Sequence, residues 1–266
     1  MASLLADPPP NYNGEVVFSY GGGRQSVALV LLCVEGILPW PDHLIMADTG
    51  HENESTWNYH RAHIEPILTE HGKRLEIAGP EYATVGMHSR NGAVILPLYS
   101  TPRGKYSTWC SSEWKRRVRD RYMRAHRIRP RELWLGLGYE EQKRWSRTHR
   151  THQGRTLVLA PLVDLQMTTQ QGLELIQKHG LPLPTHSSCY FCPNKTNKEW
   201  LELKTTSRDQ WDAALALDDE LREESIEQGR GPVYLHYSRK PLAEAILTAA
   251  DQTHDGRKCE AESCFT

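Results

Sequence analysis

Two groups of residues in this sequence could do chemistry. The first is Ser19-Tyr20-Gly21-Gly22-Gly23-Arg24-Gln25-Ser26. Three consecutive glycines let a backbone approach an anion closely and take φ angles that other residues resist. Placed before a helix, such a loop offers free N–H groups and the positive end of a helix dipole to one point, which suits a phosphate. Ser19 and Ser26 add hydroxyls and Arg24 adds charge. The pattern G-x-x-x-x-G-K-[ST] is absent, because no Lys precedes Ser26, and the spacing is not G-x-G-x-x-G. Without a ligand the same stretch would be a tight strand-to-helix turn. The second group is thiol. Cys189-x-x-Cys192 stands before Pro193, at a spacing that one metal ion or one edge of an iron–sulfur cluster accepts. Thiolates suit iron–sulfur and zinc alike. Cys33 lies in an apolar run and reads as packing.

The elements that must position these residues follow from the chain in order. Val16–Ser19 reads as a strand and Val27–Val34 as a nearly all-apolar helix, so the glycine loop joins strand to helix. His43–Ala47 is a second strand. It ends in Asp48-Thr49-Gly50, and acidic residues at the carboxyl end of a strand sit where open α/β sheets bind ligands. Asp48 would otherwise be a turn or capping carboxylate. Glu54–His71 has helical spacing, with Gly72 as C-cap. Arg74–Ala78 is a third strand, and 79–108 is an aperiodic stretch of the kind used for lids or binding segments. A helix opens near Trp109-Cys110, with Trp114, Val118, Tyr122 and Ala125 as its apolar stripe. Its basic run from Lys115 to Arg131 is either a solvated face or a surface for polyphosphate or nucleic acid.

Glu132–Gly138 is a fourth strand, followed by Glu140, Glu141, Arg144 and Arg147, which could otherwise be a surface salt-bridge cluster. Leu157–Pro161 is a fifth strand. Thr168 or Thr169 caps a helix over Gln170–His179. Beyond the cysteine turn, Glu199 to Leu221 is helical, Val233–His236 a short strand, and Pro241–Ala250 a last short helix. The organisation expected is an arm at 1–13, a nucleotide-binding domain at 14–165, and a helical, cysteine-containing region at 166–266. The fold class expected is α/β, an open and mostly parallel sheet flanked by helices.

The chain has 266 residues, 38% of them hydrophobic, and a net charge of −1, so global charge points to no partner. No apolar window reaches membrane-spanning length and no signal peptide is visible. Six cysteines in a chain this long suit a reducing compartment, hence a cytoplasmic protein of a bacterium or a phage-infected cell.

The glycine loop resembles the S-x-G-G-x-x-S loop of the adenylating PP-loop superfamily, whose fold is the adenine nucleotide α-hydrolase type. The Asp48-Thr49-Gly50 phrase resembles the D-T-G-x-x-x-x-E-T segment of phosphoadenosine phosphosulfate (PAPS) reductases, and the 136–147 segment resembles their G-x-x-x-D-E-x-x-R, with Glu140 in place of Asp. The sequence is most similar to phage-type reductase-like proteins with a cysteine tail. The resemblance implies ATP with Mg, or an adenylyl sulfonucleotide (PAPS or APS), held by the loop 19–26, Asp48, Thr49, Gly50, Gly138, Glu141 and Arg147. Lys115 and Arg144 would neutralise the transferred phosphate. It also implies a four-iron cluster. Cys110, with Cys189 and Cys192, would supply thiolates, and a helix N-terminus would favour the Cys110 thiolate. The family's early Cys-Cys pair is here Cys110-Ser111, so either the fourth iron would be open or Cys264, or Cys259, would complete the set. Zinc remains the alternative metal.

Three functions follow from these resemblances. One is an adenylating enzyme that activates a nucleic acid or nucleoside for sulfur or other group transfer. Another is a sulfonucleotide reductase with Cys264 as nucleophile and a thioredoxin-like reductant. The last is a metal-stabilised nucleic-acid-binding module.

Overall fold

The computed structural model describes residues 14–101, 103–143, 145 and 156–248. Five parallel strands form the central sheet, in the order β3-β2-β1-β6-β7. They are β1 (Glu15–Ser19), β2 (His43–Ala47), β3 (Leu75–Ala78), β6 (Pro130–Leu135) and β7 (Leu157–Leu159). Parallel strands covered on both faces read as apolar runs rather than alternating ones. β1 is such a strand: Val16, Val17, Phe18 and Ser19 are all buried, between His43–Ile45 on one side and Glu132–Leu135 on the other. The α/β class expected from the sequence is the class observed.

Helix α1 (Arg24–Val34) is buried from Ser26 to Cys33, because it lies between the sheet and helix α5 (Thr169–Lys178). The approach is close: a Cβ on Gly172 would stand 3.4 Å from that of Ala28. Leu175 and Ile176 share the core of α1, so this core continues past residue 165. Thr168 caps α5 through a reciprocal box with Gln171.

Helix α2 runs as Glu54–Tyr59, a π-helical segment His60–Ile64, and Glu65–Glu70. Pro66 explains the irregularity. It has no N–H to donate and its ring crowds the carbonyl four residues back, so the helix widens by one residue instead of breaking. Gly72, at φ +64°, ends it. Helix α3 likewise opens with a π-helical segment, Ser111–Arg116, and continues as Arg117–Ala125. Its buried side is Trp114, Val118, Arg119 and Met123; Ala125, expected in the stripe, is exposed.

The aperiodic stretch holds β4 (Tyr99–Ser100) and β5 (Gly104–Lys105), which with β8 (Val233–Tyr234) make a small antiparallel sheet. The region expected to be helical therefore borrows strands from mid-chain. After the short α4 (Pro161–Asp164) and α5 come α6 (Asn197–Thr206) and α7 (Arg208–Glu227), split at Ser207 where one helix was expected. Trp200, Trp211, Phe191, Trp114 and Leu98 form a second core under this sheet. Asp218, inside the acidic run, is 1% exposed and accepts the N–H groups of Leu235 and Leu242 at 2.7 and 2.9 Å. The last helix expected, Pro241–Ala250, is reduced to one 3-10 turn at Leu242–Glu244 within the described residues. No helix among the described residues is long and apolar enough to cross a membrane.

Candidate nucleotide and thiolate site

The chain winds from β1 through β2 to β3 on one side, then returns through β6 to β7 on the other. The switch point lies between β1 and β6, and ligands of open α/β sheets bind at the carboxyl ends of strands there. The glycine loop leaves β1 at that point. Gly22 has φ +72°, a conformation glycine takes at no steric cost. A Cβ on it would lie 2.7 Å from Thr56 Cγ2, so packing forbids a side chain here even without a ligand. Gly23 is the N-cap of α1, in extended conformation, and a Cβ on it would meet only Ser187, at 3.6 Å.

The polar groups of the loop are partly engaged with one another. The Gly21 N–H donates to Ser26 Oγ at 2.9 Å, and Gly136, at the end of β6, leaves room for that hydroxyl. Arg119, buried in α3, donates to Ser19 Oγ at 3.1 Å. Arg24 is exposed and donates to the Pro184 carbonyl at 3.4 Å, and Gln25 donates to Thr169 Oγ1. Asp48 accepts the Gly50 N–H at 2.8 Å, so it serves as a turn carboxylate. Thr49 Oγ1 accepts the His51 N–H and stands 3.7 Å from Cys189 Sγ. Gly138 and Glu141 cap the 3-10 turn at the end of β6, while Glu140 accepts from the first N–H of α5 at 2.9 Å. Arg144 and Arg147 lie outside the described residues.

The segment bearing the cysteine turn crosses this loop. Ser187 Oγ lies 2.6 Å from the Gly21 carbonyl and 2.9 Å from Glu52 Oε1, and its one proton serves either acceptor. The Asn53 N–H donates to the Ser188 carbonyl, the Tyr190 N–H to the His51 carbonyl, and Glu52 bridges to Cys189 as an isolated antiparallel pair. Residues 51–53 thus strap Cys189 against the loop.

Glu52 and Lys115 stand where the three parts meet. Glu52 Oε2 is 3.7 Å from Lys115 Nζ, with side chains 1% and 17% exposed. Both line a small cavity with Ser19, Tyr20, Gly21, Met46 and Ala47, which puts Lys115 at the glycine loop. Burial works against the Lys115 charge, but Glu52 and the three cysteines together hold its pKa above the ordinary lysine value. Lys195, buried, donates to Ser188 Oγ at 2.9 Å, and burial holds its ammonium below the ordinary value against the pull of Cys192. Sequence reasoning did not single out Glu52, Ser187, Arg119 or Lys195. The only sequence signals for the first two were their places in the acidic run after β2 and just before the cysteine turn.

Cys110 and Cys189 both pack against the second core, and Cys192 acts electrostatically on both. Cys192 raises the pKa of both other thiols, and Lys115 lowers all three. Burial dominates, and pushes Cys110 and Cys189 up to about 12. In the metal-free protein the N–H groups of Cys110 and Ser111 favour the thiolate expected there, but desolvation outweighs them. Metal binding would have to displace these protons. Among the described residues, no three His, Cys, Asp or Glu side chains are grouped to hold a single metal ion. A tetrahedral zinc ion, with Zn–S of about 2.3 Å, needs sulfurs roughly 3.8 Å apart. A four-iron cube takes one thiolate per corner, and an all-sulfur donor set suits it as well as zinc. Cys259 and Cys264 lie outside the described residues. Cys33 is core, with its thiol raised to about 12 by burial and donating to the Pro39 carbonyl.

No protein-family model matches this sequence, and no curated protein matches it. Among solved structures the chain is similar to the U34-tRNA thiolase NcsA from Methanococcus maripaludis with its [4Fe-4S] cluster, at 15% sequence identity and a TM-score of 0.44, over 90% of this chain and 78% of that one.

Proposed function

We propose that this chain is an ATP-dependent adenylating enzyme of the PP-loop type, which activates a substrate for transfer of sulfur or another group. One observation carries the reading. A three-glycine loop leaves the central strand at the switch point, with the N-terminus of a buried helix behind it and Lys115 lining the same cavity. In the reaction, a substrate oxygen forms a bond to the α-phosphorus and the α–β bridge breaks, releasing pyrophosphate. The loop N–H groups and the Lys115 ammonium stabilise the negative charge that the leaving pyrophosphate gathers. Glu52 positions Lys115, and Ser187 fixes the loop carbonyl that faces the cysteine segment. Cys110, Cys189 and Cys192 would hold an iron–sulfur cluster, which when bound would supply a place to hold sulfur. The acceptor is a nucleic acid or nucleoside.

Calorimetric titration with Mg-ATP tests the reading. Wild type binds, and Gly23→Ala, whose Cβ makes only an ordinary contact with Ser187, keeps its melting temperature. The same Cβ narrows the approach to the helix N-terminus and weakens binding by about tenfold, the loss expected of one hydrogen bond to a charged group. No heat of binding in the folded wild type would sink the proposal.

A further inference from the structure

A second concavity lies between the β4–β5 hairpin, the residues before α3, and α7. It has a volume of about 540 Å³, within the range that encloses ligands of nucleotide size. Trp109 lines it and is 58% exposed, whereas Trp114, Trp134, Trp200 and Trp211 are 4% exposed or less. Among the described residues, Trp109 is the one aromatic side chain among the exposed large hydrophobics. Arg103 at the hairpin tip, Lys105 on β5 and Arg230 after α7 line the same groove. Its one carboxylate, Glu224, accepts from Gln228 at 2.8 Å and stands 3.0 Å from His88 Nε2. Tyr106, also in the lining, has a buried hydroxyl with no hydrogen-bond partner.

An exposed indole ringed by cations matches a ligand that alternates flat π-faces with negative charge. We infer that this groove binds a single-stranded polynucleotide, with one base stacked on Trp109 and flanking phosphates held by Arg103, Lys105 and Arg230. Stacking needs a base freed from a duplex, which is why a strand rather than a double helix is the occupant. An acidic peptide would satisfy the cations but leave the indole without a flat partner. The placement deepens the proposed function, on which it rests only for what is then done to the strand. Trp109 and Cys110 are consecutive, about 3.8 Å apart between Cα atoms, and both of their N–H groups donate to the Ile95 carbonyl. A base on Trp109 would thus sit one residue along the chain from Cys110.

The basic helix α3 spends much of its charge internally. Arg119 is buried on Ser19 and Asp120, Arg117 pairs with Glu113, and Arg121 holds Tyr82 and Thr84.

The test uses the full chain and a fluorescein-labelled uridine dodecamer, with a thymidine dodecamer and a duplex of equal length alongside. Wild type binds the strand at least tenfold more tightly than the duplex. Its affinity falls with salt at a log–log slope of about −2, as three phosphate contacts on a single strand give. Trp109→Ala weakens binding about tenfold or more without changing the slope, and Trp109→Phe restores most of it. Arg103→Glu with Arg230→Glu, at two exposed positions, shrinks the slope by about 1.4. The tighter of the uridine and thymidine strands assigns RNA or DNA. Unchanged affinity in both the Trp109→Ala and the double-arginine proteins, or duplex bound as tightly as strand, overturns the inference. Mg-ATP titrated into the same preparations separates the two readings: strand binding without ATP binding removes the adenylating function and leaves the groove standing.

Discussion

At the scale of single residues, the geometry separates side chains that shape the loop from those that could act on a ligand. Gly22 belongs to the first kind: its φ and the Thr56 methyl exclude a side chain, so a Gly22 variant would lose ATP simply by distorting the loop. Lys115 belongs to both kinds. Lys115→Met should cost about 3 kcal/mol, because it leaves the Glu52 carboxylate buried and unpaired. Adding Glu52→Gln should recover most of that loss, since a neutral amide keeps an oxygen for Ser187. Thermal unfolding reads the recovery, and ATP titration reads the function: both the single and the double variant should bind ATP at least tenfold less tightly. Wild-type ATP affinity in the double variant would return Lys115 to a purely structural role. The sequence reading placed Lys115 at the phosphates and the structure places it at the glycine loop, but its partner Glu52 gave no signal. Glu52 looks like any solvated acid until Ser187 arrives from 135 residues later in the chain.

At the scale of elements, the sequence was most legible where a single signal dominated. The apolar run of α1, the strand at His43–Ala47 and the Thr168 cap were all as expected, because burial on every side and a side-chain oxygen before a helix are local properties. Of the small antiparallel sheet only β8 was legible, as the short strand expected at Val233–His236. β4 and β5 are two residues each, and β4 meets β8 across more than a hundred positions, so no periodicity betrays them. The amino ends of the central strands, remote from the candidate site, carry their own test. His43 on β2 bridges Glu76 of β3 at 2.6 Å and Glu15 of β1 at 3.4 Å. Burial lowers its pKa, but the two carboxylates outweigh burial and leave it raised. Its pairing therefore contributes fully below about pH 6.5, the value of an unfolded histidine, and is lost as pH rises through the higher folded value. His43→Gln should cost up to about 1 kcal/mol in mildly acidic buffer and little above pH 8, measured by urea unfolding across pH. Equal losses at both ends of that range would mean the contact is packing alone.

At the scale of the whole molecule, one spot gathers residues from four separated stretches: the loop after β1, the turn after β2, the start of α3 and the cysteine segment. Cys110→Ala, Cys189→Ala and Cys192→Ala should each abolish the visible absorption and the bound iron of anaerobically purified protein. Cys33→Ala should change neither, and should cost only about 1 kcal/mol of packing. Stoichiometric metal in Cys110→Ala would falsify the shared centre. The same convergence sets an order on how the chain is made. β1 is the middle strand, yet its neighbour β6 follows it by roughly 115 residues. At 5–20 residues per second a ribosome takes about 6–23 s to supply that neighbour. Throughout that interval a nascent chain carries an uncapped, apolar Val-Val-Phe edge, held on one side by β2 alone. Half-made chains are thus the form of this protein most exposed to chaperones and to one another, and the glycine loop takes its final shape only after the cysteine segment has emerged.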